Sequence, residues 1–347
     1  MRQLVNSSLA VALPCFVAFG CAATAPQKNA VASATAPLAV VESAAPATLG
    51  ERKHVETYTD GTVLREQEQR ETAPGTWIPS GRTVVFYPDG KKDSEGAFLD
   101  GKKNGPWSYW FMNGNREAEG AYVSGVLDGE WKFWRESGRL AQVGSFARGK
   151  ATGEWKYFSG PKETVRAQGA FADGELTGAW VYFDEEGVRS EEGSFERGLE
   201  TGTWTAWHKN GRKASSGPYL AGHREGEWSF WHEDGSLAKK GVYAGDREQG
   251  EWIYQYPDGK PMQRGSFERG LEQGTWTFWH PTGQKSEEGG YVAGLADGAW
   301  TTWNSEGKKL SQGSYKNGKA EGTWIYFDVD GRERSRVEYS AGRVARR

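Results

Sequence analysis

The chain has 347 residues, with 48 glycines and 17 tryptophans, and hydrophobic residues make up 37% of it. A net charge of −3 lacks the concentrated basic charge of a nucleic-acid-binding protein, so no nucleic-acid partner is expected. This much glycine without a three-residue period indicates many turns and excludes a collagen-like chain.

Residues 1–21 have the pattern of an export signal. Arg2 precedes an apolar stretch, Leu9 to Phe19, that is too short to span a bilayer. Cys21 follows Gly20 directly after this stretch, an order that resembles the lipobox of bacterial lipoproteins, in which the cysteine is lipidated and becomes the mature N-terminus. Ordinary signal-peptide cleavage after Ala23 is the alternative. Both predict an exported chain, and lipidation of Cys21 predicts a membrane-anchored lipoprotein facing the periplasm or the cell surface.

Two segments separate this signal from the rest of the chain. Residues 22–50 are rich in Ala, Pro, Thr, Ser and Val without a periodic apolar face, which predicts a flexible tether. Residues 51–80 lack the pattern that follows and are predicted to be an irregular N-terminal segment. The two cysteines of the chain, Cys15 and Cys21, both precede these segments. The later residues therefore have neither a disulfide framework nor a cysteine zinc site.

From residue 81 to residue 347 the chain is a repeat array. A tryptophan returns every 24 residues, with one interval of 25, at Trp107, Trp131, Trp155, Trp180, Trp204, Trp228, Trp252, Trp276, Trp300 and Trp324. A second aromatic series, from Phe98 to Tyr339, keeps the same period. Self-similarity at such a period is typical of stacked repeat architectures. The array has about eleven units, of which the first and the last are degenerate.

Each unit is predicted to be a β-hairpin. The common pattern is G-x-[FY]-x-x-G-x-x-x-G-x-W-x-x-[WF]-x-x-x-G, which places glycines between two short stretches of strand-favouring residues. Turns such as Asn113-Gly114 and Asp258-Gly259 are strong hairpin signals. A lone hairpin cannot bury its aromatic side chains, so neighbouring hairpins must share one core. The sequence therefore predicts an all-β, elongated, single-layer antiparallel meander of about 22 strands. A propeller of about five blades is the rival fold.

Strand alternation predicts an aromatic row on each face of the sheet. Trp131 and Phe133 point to one face, whereas Trp134 points to the other. One row must be buried, and the second is either covered by neighbouring side chains or lines an exposed groove. Exposed aromatic rows tend to mark interaction sites. The candidate binding surface is therefore this second row, formed by Trp110, Trp134, Phe158, Phe183, Trp207, Trp231, Trp279, Trp303 and Phe327.

This residue pattern resembles the MORN repeat family, in particular the bacterial MORN-variant repeats, over about residues 81–347. The resemblance rests on the spacing of glycine, aromatic residue and tryptophan and on the Asp/Asn-Gly turn that follows. It implies an antiparallel β-meander and a role in protein–protein or membrane-proximal interaction. Bacterial chains of this type are often labelled YwqK-type antitoxins. That label normally implies a cytoplasmic partner toxin, which conflicts with the export signal.

The pattern contains no catalytic constellation. His208, His232 and His280 occupy equivalent positions in different units, and neighbours would lie roughly 10 Å apart, too far to share one zinc ion. The carboxylate pairs Glu191-Glu192 and Glu287-Glu288 have no environment that sets them apart from other units. We therefore expect a protein that is not an enzyme and needs no metal or cofactor.

Three functions remain open on the sequence. The leading one is an envelope-anchored repeat scaffold that binds an unidentified protein partner. The second is a module that binds glycan or cell wall, since aromatic rows stack on sugar rings, and a membrane surface is a further partner class. The third is an antitoxin or immunity-like protein of a toxin–antitoxin system.

Overall fold

The computed structural model describes residues 49–345, which form one antiparallel sheet of short strands. The strands are β1 (Glu51–Thr57), β2 (Val63–Ala73), β3 (Thr76–Phe86), β4 (Lys92–Leu99), β5 (Lys102–Trp110), β6 (Arg116–Val123), β7 (Val126–Trp134), β8 (Leu140–Ala147), β9 (Lys150–Ser159), β10 (Thr164–Ala172), β11 (Glu175–Phe183), β12 (Arg189–Glu196), β13 (Leu199–Trp207), β14 (Lys213–Leu220), β15 (His223–Arg224), β16 (Gly226–Trp231), β17 (Leu237–Ala244), β18 (Arg247–Gln255), β19 (Pro261–Glu268), β20 (Leu271–Trp279), β21 (Lys285–Val292), β22 (Leu295–Trp303), β23 (Lys309–Lys316), β24 (Lys319–Phe327), β25 (Glu333–Ser340) and β26 (Arg343–Val344).

The strands pair in chain order, so the sheet is a meander of hairpins as predicted. β17 pairs with β18, β18 with β19 and β19 with β20, and the same order holds along the sheet. β15 and β16 together pair with β14 as one interrupted strand. Within residues 49–345 the structure contains no helix, and no pairing joins β1 to β26. The sheet is therefore open, and the propeller is wrong.

Two kinds of turn alternate along the sheet. At Arg269-Gly270 both residues have positive φ, 53° and 82°, which is the two-residue type I′ turn that matches strand twist. At the other margin, the Tyr256 and Gly259 N–H groups donate to the Lys260 and Tyr256 carbonyls, both at 2.9 Å, in a three-residue loop. Gly259 has φ of 81° there. Because a unit needs both turns, its glycines recur with the period of the tryptophans.

The units are also joined to one another at both margins of the sheet. The Gly270 N–H donates to the carbonyl of Glu248 in the preceding unit at 2.9 Å, and the Arg269 N–H donates to Gln249 Oε1 at 3.1 Å. At the opposite margin, the Tyr256 hydroxyl donates to the Trp279 carbonyl of the next unit at 2.8 Å. Successive turns are thereby held in register by hydrogen bonds as well as by strand pairing.

The core is a continuous line of aromatic rings on one face of the sheet, which we call the aromatic face. Trp252 is 0% exposed, and its ring meets Tyr243 edge-on with centroids 5.0 Å apart. Its Nε1–H donates to the Val242 carbonyl at 3.2 Å. The same edge-to-face contact and the same indole hydrogen bond recur from Trp107 to Trp324. A single-layer sheet therefore buries its tryptophans against the rings of neighbouring hairpins rather than against a second layer.

Each of these tryptophans lies flat over a glycine of the preceding strand. A Cβ atom at Gly241 would be 2.2 Å from the Trp252 ring, and one at Gly193 would be 2.1 Å from Trp204. No side chain fits there, because real Cβ contacts are never so short. The first glycine of the repeat is thus required by ring packing and not by turn geometry.

The segment at residues 51–80 differs from the prediction of an irregular stretch. It forms β1, β2 and the first part of β3, all within the same sheet. The strand β2 is rich in Glu, Gln and Arg, so it lacks the glycine–aromatic pattern that identified the other strands. Its Gln67 is buried and donates to Thr83 Oγ1 at 3.3 Å, where the other units place a tryptophan. Polar pairing replaces the ring contact at this end.

The single 25-residue interval is explained by one lengthened turn. β9 and β10 are joined by residues 160–163, where Gly160 and Glu163 both have positive φ. The Glu163 carboxylate accepts the Leu140 N–H at 2.9 Å, which ties the longer turn to the preceding one. As predicted from the sequence, the added residue lies between Phe158 and Gly169, and it does not disturb the tryptophan register.

Alanine at a type I′ turn position should make the folded protein less stable than glycine would. Ala293 has φ of 48°, a region that costs a residue with a Cβ about 1 kcal/mol. We expect Ala293→Gly to raise the free energy of unfolding by about 0.5–1 kcal/mol, measured by urea denaturation. Ala299→Gly, in the exposed part of β22, is the matched control and should lower it by a similar amount. Destabilisation by both variants would contradict the prediction.

Candidate functional site

The second aromatic row lies on the face opposite the core, which we call the outer face. Along β13, Trp204 and Ala206 face the core, so Thr205 and Trp207 face outward. A bulge between Ala206 and Trp207 shifts the pairing so that Trp207 lies beside Lys213. The row follows the margin of the sheet that carries the three-residue turns.

The rings of this row are half-buried rather than free. Every member of the predicted surface has intermediate exposure: Trp110, Trp134, Phe158, Phe183, Trp207, Trp231, Trp279, Trp303 and Phe327. The Arg189 guanidinium lies 5.3 Å from the centroid of Trp207 and also pairs with Glu192 at 2.8 Å. Lys285 lies 5.9 Å from Trp303 and pairs with Glu288 in the same way. Of the two alternatives left open by the sequence, coverage by neighbouring side chains is the one that these contacts favour.

Several exposed apolar side chains of the outer face are aliphatic and border the type I′ turns. We call this group the aliphatic ridge, and it consists of Leu99, Val123, Val126, Leu199, Leu220, Leu271, Val292 and Leu295. Leu220 is 64% exposed, and Val292 is 53% exposed. Val123 pairs with Val126 and Val292 with Leu295, in each case across a turn. The ridge is therefore a set of apolar side chains at the margin opposite the aromatic row. It is interrupted in other units by exposed charged residues such as Lys150, Glu175 and Glu268.

Sequence reasoning missed the ridge, although a signal for it exists. Leu199, Leu271 and Leu295 occupy the same position of the repeat, directly after the type I′ turn, and their spacings are multiples of the period. The residue before the turn is likewise Leu99, Val123 or Leu220 in several units. Turn-flanking positions are ordinarily polar. A periodic aliphatic residue at such positions could have been recognised as an exposed line.

A polar strip separates the ridge from the aromatic row. A strand such as β20 runs nine residues between the two margins, which places them roughly 25 Å apart. Thr277 and Glu288 face each other within the strip, with the Thr277 hydroxyl donating to the carboxylate at 3.0 Å. Two shallow depressions lie in this strip, one bordered by Ser108, Glu119 and Lys132, the other by residues around 154–156 and 168–170. The outer face thus offers a long polar surface with two apolar margins.

The two carboxylate pairs noted in the sequence are divided between the faces. Glu192 faces outward in its ion pair with Arg189, whereas Glu191 lies on the aromatic face opposite Ala206. Glu287 in the same way lies opposite Thr302. At the positions equivalent to Ala206 and Thr302, other units carry rings such as Tyr182 and Phe230. A glutamate on the aromatic face is therefore accompanied by the loss of a neighbouring ring, and the two members of a pair cannot act together on one substrate.

Burial, followed by repulsion from Glu200, raises the pKa of Glu191 to about 7. The folded protein holds the neutral acid, whereas the unfolded chain ionises it near its ordinary pKa of 4.5. The neutral Glu191 side chain therefore makes its full contribution to the stability of the fold below about pH 4.5. That contribution is lost as the pH rises through 7.

Between pH 4.5 and pH 8 we expect Glu191 to cost the fold about 2 kcal/mol, allowing for its partial exposure. Urea denaturation at pH 4.5 and at pH 8 should show that the free energy of unfolding of the native chain falls by this amount. In Glu191→Gln the fall should be smaller. Glu192→Gln, on the outer face, is the control and should retain the decline. An unchanged pH dependence in Glu191→Gln would refute the assignment.

The histidines join successive units instead of forming a metal site. His232 Nε2 lies 2.9 Å from the Gln255 carbonyl of the next unit, and His208 and His280 make the equivalent contacts with Trp231 and Trp303. Tyr256 performs the same task with its hydroxyl. Among the described residues, no group of three or more His, Cys, Asp or Glu side chains is arranged to hold a metal ion. The imidazoles act as structural links at the strand ends.

The predicted anchor lies outside the described residues. Cys21, the signal at residues 1–21 and residues 22–48 of the tether all precede the first described residue, Leu49. Over residues 49–345 no helix has the length and apolarity needed to cross a membrane.

Comparison with known proteins gives one family match and several structural ones. The model of the MORN repeat variant matches residues 224–244, 248–269 and 296–317. No curated protein sequence matches the chain.

The solved structures that resemble it include the TcdB2–TccC3–Cdc42 crystal structure, with 11% identity and a TM-score of 0.17 over 83% of this chain and 19% of that one. Another is the Photorhabdus luminescens Tc holotoxin pore, with 11% identity and a TM-score of 0.17 over 82% and 19%. This chain spans about a fifth of the length of those chains.

The three matched stretches coincide with the hairpins of β15–β17, β18–β19 and β22–β23. The glycine, aromatic residue and tryptophan that define the core recur in the same positions in these units and in their neighbours. The family model and the packing of the sheet therefore point to the same repeating element. Three stretches of this open antiparallel sheet therefore match the MORN repeat variant.

Proposed function

We propose that this chain is a non-enzymatic repeat scaffold, held at the cell envelope, that binds a protein partner along its outer face. The observation that carries the proposal is the aliphatic ridge, whose exposed side chains recur in several units between Leu99 and Leu295. Adjacent exposed apolar side chains are typical of interaction sites, and Val123–Val126 and Val292–Leu295 are such pairs on the ridge. The polar strip beside the ridge would supply hydrogen bonds at the rim of such an interface.

A glycan partner is less well supported by the same face. Sugar rings need an open aromatic surface, whereas the outer rings are half-buried beside charged pairs such as Arg189–Glu192. A peptide can instead use aliphatic contacts at the ridge and polar contacts on the strip. No feature of the described residues favours the antitoxin function, so the proposal is restricted to a scaffold.

The envelope location rests on the first 50 residues. A lipid on Cys21 would hold the chain at a membrane, and the Ala- and Pro-rich residues that follow would act as a tether. Cys21→Ser should abolish incorporation of radiolabelled palmitate and release the chain from the membrane fraction. Retention of both label and membrane association in that variant would contradict lipidation at this residue.

The ridge can be tested by photo-crosslinking in the cells that express the protein. A benzoylphenylalanine residue at Leu220 or Leu271 should crosslink one protein of defined mass, because both positions are exposed on the ridge. Val329 is 75% exposed in a three-residue turn at the opposite margin and is the matched control. Equal crosslinking at all three positions, or crosslinking to no protein, would refute the proposal.

A second variant separates binding from folding. Leu220→Ser with Val292→Ser should abolish the crosslink formed at Leu271, since all three positions belong to the ridge. The same variant should keep the circular dichroism spectrum and the urea midpoint of the native chain, because the substituted side chains are more than half exposed. An undiminished crosslink would place the partner elsewhere.

A further inference from the structure

The two ends of the described sheet are not equally protected. β25 is partly covered by β26, and its outer side carries the basic residues Arg334, Arg336 and Arg343 at or near the edge. Charged side chains of this kind oppose pairing unless the added strand brings opposite charges, and this holds equally for Arg52 and Lys53 of β1. β1 has β2 as its only partner among the described strands, and no proline interrupts it. A strand edge of this type is a template for another strand.

The hydrogen bonds of β1 identify which of its groups point away from the sheet. The Gly50 carbonyl accepts the Glu71 N–H at 2.8 Å, so residue 50 forms a hydrogen-bonded pair with β2. Hydrogen-bonded pairs alternate with non-hydrogen-bonded pairs along antiparallel strands. The N–H and C=O groups of residues 52, 54 and 56 therefore also point toward β2. The N–H and C=O groups of Glu51, Lys53 and Val55 therefore point outward. Val55 is an apolar side chain of this edge and is 46% exposed.

The sequence of β1, ERKHVET, is complementary to itself in an antiparallel register centred on His54. When two copies pair about a two-fold axis at His54, Arg52 of each lies opposite Glu56 of the other. The outward groups of Lys53 and Val55 then pair with each other. A register one step earlier would place the two Lys53 side chains opposite each other, which like-charge repulsion disfavours. A register one step later, centred on Val55, would place His54 opposite Glu56 but would pair only residues 53–57. The register centred on His54 pairs all seven residues of β1.

We propose that β1 pairs with β1 of a second copy, so that two chains form one continuous antiparallel sheet related by a two-fold axis at His54. The arrangement supplies partners for the outward backbone groups of both strands. It also places Arg52 opposite Glu56 twice, in addition to the contacts that Arg52 makes with Gln69 and Glu56 makes with Arg65. It is an isologous contact that closes on itself, so it yields a dimer and not a filament. This pairing uses the end of the sheet and leaves the aliphatic ridge free.

The register predicts a specific disulfide. At a non-hydrogen-bonded antiparallel pair the Cα atoms are about 4.5 Å apart, within the range that a disulfide can bridge. In the full chain with Cys15→Ser and Cys21→Ser, His54→Cys should therefore form a disulfide dimer under mild oxidation. Lys53→Cys and Val55→Cys are matched controls, because neither lies opposite itself. We expect His54→Cys to be crosslinked at least about tenfold faster than either control.

Two further variants connect the crosslink to strand pairing. Lys53→Pro removes an outward N–H while leaving the hydrogen bonds to β2, so it should abolish the His54→Cys dimer. Arg52→Glu should slow dimer formation, and the swap Arg52→Glu with Glu56→Arg should restore it. Unchanged circular dichroism in each variant shows that the sheet remains folded.

Three outcomes would overturn the proposal. Equal crosslinking at residues 53, 54 and 55 would indicate random collision instead of a fixed register. No crosslink at residue 54 would mean that β1 does not pair with a second β1 in this register. A dimer that survives Lys53→Pro would place the contact outside β1.

Discussion

Replacing Trp252 by alanine is expected to lower the free energy of unfolding by about 3–5 kcal/mol. The indole is 0% exposed, and rings of both neighbouring units surround it, with centroids at 5.0 Å for Tyr243, 6.1 Å for Tyr254 and 6.3 Å for Phe267. The substitution removes these contacts and the indole hydrogen bond to Val242. It also leaves a cavity that a single-layer sheet has no second layer to fill.

The measurement is urea denaturation, with hydrogen exchange to locate the loss along the array. Units of a repeat protein are stabilised by their neighbours, so exchange should increase in β17, β18 and β19 first. Trp279→Ala is the matched control, because Trp279 is a tryptophan of the outer row and is half-buried. For this control we expect the free energy of unfolding to fall by about 1–2 kcal/mol. Equal losses for the two variants would show that the rows do not differ in their contribution to the core.

The architecture could be predicted because one constraint is repeated along most of the chain. Tryptophan, glycine and turn residues recur with the same spacing, so an error in one unit is corrected by the others. The hairpins, the open meander and the buried tryptophan row follow from that spacing. The strands at residues 51–80 could not be predicted in this way, since β2 obtains its structure from pairing with polar residues such as Gln67 and Thr83.

The candidate surface was harder to predict than the fold. The sequence shows that alternation along β13 places Trp207 on the outer face. It does not show that Arg189 lies over the Trp207 ring. Arg189 reaches the ring from β12, where the register shifts beside Arg189, and a bulge of this kind has no signature in the pattern of aromatic residues. The exposure of Leu220 likewise depends on its place beside a turn, where the surrounding side chains leave most of it exposed. Side-chain coverage is a tertiary property, and it decides which periodic row is free.

Adding one methyl group under a tryptophan should be almost as damaging as removing the ring. A Cβ atom at Gly241 would lie 2.2 Å from Trp252, so Gly241→Ala requires the indole or the strand to move. Overpacking of this kind costs about 1–3 kcal/mol, and here the displaced ring also loses its hydrogen bond to Val242. We therefore expect a loss of about 3 kcal/mol in the free energy of unfolding, measured by urea denaturation.

A double-mutant cycle tests whether the methyl group acts through the ring. With Trp252→Ala the space above Gly241 is empty, so adding Gly241→Ala should cost little more and could recover part of the loss through β propensity. The interaction energy between the two positions should therefore be about 2 kcal/mol or more in the direction of sub-additivity. Strictly additive losses would mean that Gly241 is required by the backbone and not by the indole. Because the same pair recurs from Gly96–Trp107 to Gly313–Trp324, the result would apply to the repeat as a whole: the glycine is retained in each unit because the tryptophan of the next strand occupies the position of its side chain.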